Sequence, residues 1–238
     1  MNLFLSSNKN LIILSFLLAI LPISLLSGSL IINLITSIIS IIFIFELFIK
    51  KKLNFLHDWS FYLLLFLWSS FLVNLIFSQD SSLSIFRVIG FVRFILLVQV
   101  IRYLFTINDT KYKELILKSW LIIFLVVNLD LLIEYFSGKN ILGYKSTIDG
   151  RLASFLDDEL KIGGYYFGFC LLSLATIYSY FKKDYKIIFG FAIFFLIVSF
   201  LIGERSNFIK VLLSISFMLI FYFKRHKLKL LSLSLLCI

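Results

Sequence analysis

Little in this chain would hold a soluble domain together. Charged residues make up 15% of its 238 residues, against 61% hydrophobic ones. A soluble domain carries far more charge, on recurrent polar faces. Cysteine and histidine are scarce, with two of each. Cys170 and Cys237 stand in apolar runs as packing residues, with no disulfide or metal spacing between them. His57 and His226 stand beside lysine-rich stretches and read as solvated loop residues. No metal or other cofactor is expected from this set. There is one proline, and no repeat, linker or low-complexity stretch, so residues 1–238 read as one membrane domain. A cleavage site is also lacking. Lys9 precedes an apolar run, as in a signal peptide, but no small-residue site follows and more apolar runs do. The run is kept as a span.

What the chain has is apolar length. Its mean hydropathy is +1.04, and apolar runs of about 18 residues or more read as membrane-spanning helices. The expected fold is all-α, a polytopic transmembrane helix bundle. Eight spans are placed near residues 11–26, 30–49, 59–77, 85–105, 119–136, 162–181, 187–202 and 208–223. A ninth begins near Leu230 and meets the last residue, Ile238. Nine residues of helix reach only about 14 Å, half a bilayer. The chain is therefore expected to be an N-terminal portion, truncated inside its ninth span.

The net charge of +10 is assigned to the membrane rather than to nucleic acid, because Lys and Arg gather in cytoplasmic loops. With the N-terminus in the cytoplasm, the inner side receives "KKK" at 50–52, "TINDTKYKELILK" at 106–118, "KKDYK" at 182–186 and "KRHKLK" at 224–229. The outer side receives "SGS" at 27–29, "SQDSSLS" at 78–84, the longest external loop at 137–161, and "GERSN" at 203–207. The bias keeps its sign at every turn.

Several charges sit where a bilayer makes them costly, by about 2.5–3.5 kcal/mol each on insertion scales. Span four carries Arg87, which can snorkel outward, and Arg93, roughly 12 Å into the helix. Span five carries Asp130 and Glu134, four apart on one face. The depths of Arg93 and Asp130 match. They read either as a buried ion pair that fixes helix register or as the lining of an outward-opening cavity. Glu46 reads as a solvated end residue. Asp157, Asp158 and Glu159 precede span six, where acids suit the positive end of a helix dipole. Arg205 stands at the start of a helix, where a cation is unfavourable unless an anion binds there too. Arg87, Arg93, Arg151 and Arg205 are the candidate substrate-binding residues, since Arg is suited to bidentate phosphate contacts. A lipid-linked phosphate or pyrophosphate is the ligand class this suggests.

The stretch "EYFSGKNILGYKSTIDGRLASFLDDELKIGGYY" at 134–166 resembles the external-loop signature of bacterial O-antigen polymerases and ligases. In that family a span ends in a glycine turn, here Gly138 to Gly143. An arginine follows (Arg151), then a phenylalanine with an acidic pair (Phe155, Asp158 and Glu159), then a glycine-rich helix start (Gly163, Gly164 and Tyr165). "GERSNF" at 203–208 resembles a later element of the family, and "FSQDSSLSIFRVIGFVRF" at 77–94 is similar to its serine-rich turn and basic helix. The resemblance covers about residues 60–223. Two departures stand out: Ser154 replaces the glycine before the motif phenylalanine, and the family's later external loop lies beyond Ile238.

The resemblance implies a glycosyltransferase of lipopolysaccharide or polysaccharide biosynthesis at the outer face of the bacterial inner membrane. Its donor would be an undecaprenyl-pyrophosphate-linked glycan. A polymerase passes the growing chain to the next lipid-linked repeat; a ligase passes it to the lipid A core. Membrane lipid and other polysaccharide-assembly membrane proteins are the implied partners. Arg151 and Arg205 would stabilise the leaving pyrophosphate as charge develops. Asp158 or Glu159 would supply the general base. The alternative class is a transporter or flippase component, which paired broken helices and inverted repeats would favour.

Overall fold

The computed structural model describes residues 2–51, 53–77, 81–107, 110–146, 148, 150–156, 162–181 and 184–224. Every regular element among them is helical: α1 (Asn2–Ala19), α2 (Leu21–Leu26), α3 (Ser29–Ile49), α4 (Trp59–Ile76), α5 (Ser81–Thr106), α6 (Thr110–Ser137), α7 (Ile162–Tyr180), α8 (Tyr185–Leu201) and α9 (Arg205–Lys224), with short 3-10 turns at Leu53–Leu56 and Ser154–Leu156. Five of these helices, α3 to α7, contain stretches long and apolar enough to cross a membrane. The all-α membrane architecture therefore holds, at the level of five such helices.

Two expected boundaries move. The first run does not form one helix: it breaks at Ile20, just before Pro22 in α2. Proline has no N–H to give the preceding turn. The start of the fifth run moves back to Thr110, so "KYKELILK" is helical and not loop. Charges there had suggested a loop, but long cationic side chains can lie along a helix and reach a polar or aromatic partner. Lys118 does so, 5.6 Å from the centre of the Tyr180 ring. The seventh expected run is the 17-residue α8, an apolar helix shorter than those five. The ninth, from Leu230, lies outside the described residues.

The chain forms two compact units, divided near residues 116 and 117. In the first, α1, α3 and α5 pack on one another and α4 packs on α5. Leu14 and Leu18, then Ile39, Phe43 and Leu47, then Val100 and Leu104 are at most 1% exposed. Their four-residue spacing is one helix face. Lipid tails are as apolar as leucine, so close packing and hydrogen bonds must hold such helices together. The Ser40 hydroxyl shows both: it is buried, and it lies 2.8 Å from the Thr36 carbonyl and 3.2 Å from the Arg93 carbonyl of α5.

One end of this unit is an ionic cluster, and it corrects the reading of Glu46. That carboxylate is fully buried, not solvated. It pairs with the Lys50 ammonium at 2.5 Å and accepts from Asn10 Nδ2 at 3.0 Å. Burial pulls the Lys50 pKa down, but the Glu46 hydrogen bond and charge and the Tyr103 hydroxyl outweigh it, and the net shift is upward. Nearby, Arg102 pairs with Asp58 at 2.8 Å and lies 4.6 Å from the Phe55 ring centre.

In the second unit α7, α8 and α9 pack together, and α6 joins them through aromatic contacts. Phe124 lies 4.9 Å from Tyr166 and 5.1 Å from Phe195 between ring centres. The buried Tyr166 hydroxyl is 2.8 Å from Asn128 Oδ1 and 3.0 Å from the Phe195 carbonyl. One side chain of α7 thus ties α6 to α8. Cys170, on the same helix, is buried packing as expected.

Candidate functional site

The site is built at the end of α6, where the chain leaves the helix at Gly138 and folds back over it. Two carboxylates on one α6 face hold that return. Asp130 is fully buried and Glu134 is 4% exposed. Asp130 Oδ1 accepts from the Ile141 amide at 2.7 Å, and its Oδ2 accepts from the Ser154 hydroxyl at 2.6 Å. Glu134 Oε2 accepts from the Ser154 amide at 2.7 Å, and Oε1 accepts from the Ala153 amide at 3.1 Å. Asn140 closes the frame: its Nδ2 donates to the Ser154 carbonyl at 2.6 Å and its Oδ1 accepts from the Tyr144 amide at 2.8 Å. Asp130 lies seven residues before Ser137, roughly 10 Å down the helix. Non-helical backbone at that depth is tolerated where protein groups satisfy it, and these carboxylates do so.

This changes the role read for Asp130. Its hydrogen bonds run to the loop of its own unit. The Arg93 guanidinium in turn donates to Asn33 Oδ1 at 2.7 Å, inside the first unit. Each residue thus has hydrogen-bond partners within its own unit.

Ser154 is the pivot of the loop. Its φ is +53°, a left-handed conformation that costs an L-residue about 1–2 kcal/mol. Its amide, hydroxyl and carbonyl are all bonded to the frame. Serine stands where the resemblance leads one to expect glycine, and its backbone takes a glycine-like conformation.

The frame presents Arg151. Its backbone runs beside the turn between α8 and α9: the Leu152 amide donates to the Ile202 carbonyl at 3.2 Å. Gly203 has a φ of +80°, and a Cβ there would lie 2.2 Å from the Gly150 carbonyl oxygen. Only glycine allows this approach. A second contact joins the start of α7 to the same turn: a Cβ on Gly163 would lie 2.3 Å from Glu204 Oε2 and 2.7 Å from Asn207 Nδ2. Segments 150–156, 162–164 and 202–207, far apart in sequence, therefore meet. Beside them is a cavity of about 230 Å³, lined by Arg151, Lys145, Ser146, Gly150, Tyr135 and Glu134 among others. Among the described residues neither Arg151 nor Lys145 forms an ion pair. Its described lining carries two cations against the one carboxylate of Glu134, a net positive charge that suits an anion.

The other expected site residues fall as follows. Arg205 is exposed in the first turn of α9, two residues past Gly203. Arg87 is exposed and Arg93 half-buried, both on α5 of the first unit. Asp158 and Glu159 lie outside the described residues. The sequence reading missed Lys145, Asn140 and Glu204. Glu204 accepts a hydrogen bond from Asn207 on one oxygen, and its other oxygen is buried without a partner among the described residues. The spacing of Asp130 and Glu134, with the external loop that follows them, was the signal that pointed to this end of α6.

No known protein family, curated protein or solved structure matches the chain.

Proposed function

We propose that this chain carries the pyrophosphate-binding part of a bacterial O-antigen or polysaccharide polymerase or ligase. The protein would lie in the inner membrane with its N-terminus in the cytoplasm. The loop after α6 and the turn before α9 would then face the periplasm, where an undecaprenyl-pyrophosphate-linked glycan is transferred to its acceptor. The observation that carries the reading is the meeting of two arginine-bearing segments, with the Leu152 amide bonded to the Ile202 carbonyl. Arg151 and Arg205 reach one end of one unit from different parts of the sequence.

The chemistry follows from that placement. Transfer breaks the bond between the glycan's anomeric carbon and a pyrophosphate oxygen, so negative charge grows on the leaving group. Arg151 and Arg205 stabilise that charge, more in the transition state than in the ground state. The buried Asp130 and Glu134 hold the loop so that Arg151 needs no rearrangement during reaction. Asp158 or Glu159 takes the proton of the acceptor hydroxyl. The surrounding apolar helices accommodate the lipid.

In cells carrying the protein, Arg151→Ala and Arg205→Ala should each abolish long glycan chains on a gel while protein level on a blot is unchanged. Lys at either position should restore them partly, since it supplies charge without the bidentate fork. Asp158→Asn should stop transfer while lipid binding persists. Normal glycan ladders in both alanine strains would end the proposal. Loss of lipid movement across the membrane, with transfer intact in a leaflet-independent assay, would favour a flippase instead.

A further inference from the structure

The first unit contains a second cavity, of about 390 Å³, between the last turns of α4 and the first turns of α5. It is lined by Phe71, Asn74, Leu75, Ser84, Arg87, Val88 and Phe91. Its composition has an order. Asn74 is close to the end of α4, and Ser84 and Arg87 are near the start of α5, so the polar groups lie toward the helix ends. Phe71, Val88 and Phe91 stand one turn or so further in. Phe71 and Phe91 pack edge to face at 5.0 Å. The described lining has one cation and no carboxylate.

The wall around it is apolar and outward. No residue of α4 is buried. Ile76, Phe77 and Phe86 are 79%, 79% and 76% exposed, and Ile89 is 62% exposed. Such a surface on a membrane-crossing helix faces hydrocarbon. A cation at its edge, with an amide and a hydroxyl beside it, faces the level of the lipid headgroups.

We propose that this cavity is a binding site for one anionic phospholipid of the bilayer, separate from the glycan donor's site. The Arg87 guanidinium takes the two non-bridging oxygens of the phosphodiester, a match of fork to fork. Asn74 and Ser84 face the glycerol oxygens. The first acyl methylenes lie along Phe71, Leu75 and Phe91. Basic pockets between membrane helices recognise lipid headgroups in this way, and the single positive charge selects an anionic headgroup over a zwitterionic one. Phosphatidylglycerol satisfies this chemistry.

Trp68 offers a reporter. Its Nε1 donates to the Val88 carbonyl at 2.9 Å, and Trp68, Phe71 and Leu75 share one helix face. In the Trp59→Phe, Trp120→Phe background Trp68 is the only tryptophan, since the chain has three. The protein in detergent is titrated with phosphatidylglycerol or phosphatidylcholine brominated on the acyl chains, and Trp68 quenching is read. Phosphatidylglycerol should half-quench at a mole fraction about fivefold lower than phosphatidylcholine, the worth of one interfacial cation. Arg87→Gln should bring the two curves together, and Arg87→Lys should keep part of the gap. The parent comparison needs no variant, so a misfolded Arg87→Gln would leave the test standing. Coincident curves in the parent would overturn the proposal, as would a gap that survives Arg87→Gln in folded protein. Displacement of bound phosphatidylglycerol by undecaprenyl phosphate at a lower mole fraction would also overturn it, because the cavity would then belong to the donor's lipid.

Discussion

Replacing Ser154 by alanine and by glycine tests the loop frame through the sign of a difference. Ser154 is 1% exposed and its hydroxyl donates to the fully buried Asp130 at 2.6 Å. Alanine removes that donor and leaves a buried carboxylate oxygen short of a partner. A hydrogen bond to a charged group contributes about 1.5–3 kcal/mol, so alanine should cost about 2 kcal/mol. It gains nothing from the backbone, because its φ must also be +53°. Glycine loses the same hydrogen bond but escapes the left-handed penalty, a relief of about 1 kcal/mol after its greater freedom when unfolded is counted. Glycine should therefore be the milder change by about 1 kcal/mol. At an ordinary helix or strand position the order is reversed, with glycine worse by roughly 0.5–1 kcal/mol. Cys170 makes the measurement direct: it is 1% exposed and, in a Cys237→Ser background, is the sole thiol. A thiol-reactive dye then reports unfolding on heating. At about 2–4 °C per kcal/mol, alanine should lower the midpoint by about 4–8 °C and glycine by about half as much. A glycine variant no more stable than the alanine variant would refute the reasoning about this loop.

Gly203→Ala should cost about 3 kcal/mol or more by the same assay, since its Cβ meets backbone at a positive φ, whereas Gly164→Ala, with open space around it, should be neutral or slightly stabilising. Glu46→Ala should cost about 3 kcal/mol by leaving Lys50 and Asn10 without their partner, and Glu46→Leu with Lys50→Leu should cost less. The Asp58 carboxyl is held below its ordinary value of 3.8, first by the Ser60 hydroxyl and then by Arg102, against some desolvation. A depressed pKa stabilises the fold above the unfolded value and is lost as pH falls through the folded one. Asp58→Asn and parent midpoints should thus differ at pH 6 and converge well below pH 3.8. Cysteine at Ser146 should react with a membrane-impermeant thiol reagent in intact cells and cysteine at Lys51 should not; the reverse pattern would invert the proposed orientation.

The helices were largely legible because apolar length is an additive property of the sequence. Charge was less so, because its meaning depends on partners that local spacing does not show. Glu46 and Lys50 are four apart, and their pairing was within reach, but the burial of Glu46 and its hydrogen bond from Asn10 depend on another helix. Asp130 and Glu134 were correctly seen to share a face. Their partners are the backbone amides at 141, 153 and 154 and the Ser154 hydroxyl; amides carry no side-chain signature and Ser154 is 20 or more residues away in sequence, so an ion pair seemed the nearest explanation. Ser154 read as a lost glycine because the sequence shows the side chain and not the φ. Its hydroxyl compensates for the strain by binding a carboxylate that only the folded loop brings close. The joining of 150–152 to 202–203 was likewise hidden, since it rests on one backbone hydrogen bond and one close glycine contact.

The central claim is that the loop after α6 and the turn before α9 form a pyrophosphate site. Equilibrium binding of a short-chain polyprenyl pyrophosphate to the purified protein, beside the matching polyprenyl alcohol, tests it most directly. The parent should prefer the pyrophosphate. Arg151→Ala should weaken that ligand by about tenfold or more, the loss of a charge-assisted contact worth at least about 1.5 kcal/mol, with Arg151→Lys between them and the alcohol unaffected throughout. Equal affinity for pyrophosphate and alcohol, or a pyrophosphate affinity that Arg151→Ala leaves unchanged, would contradict the account.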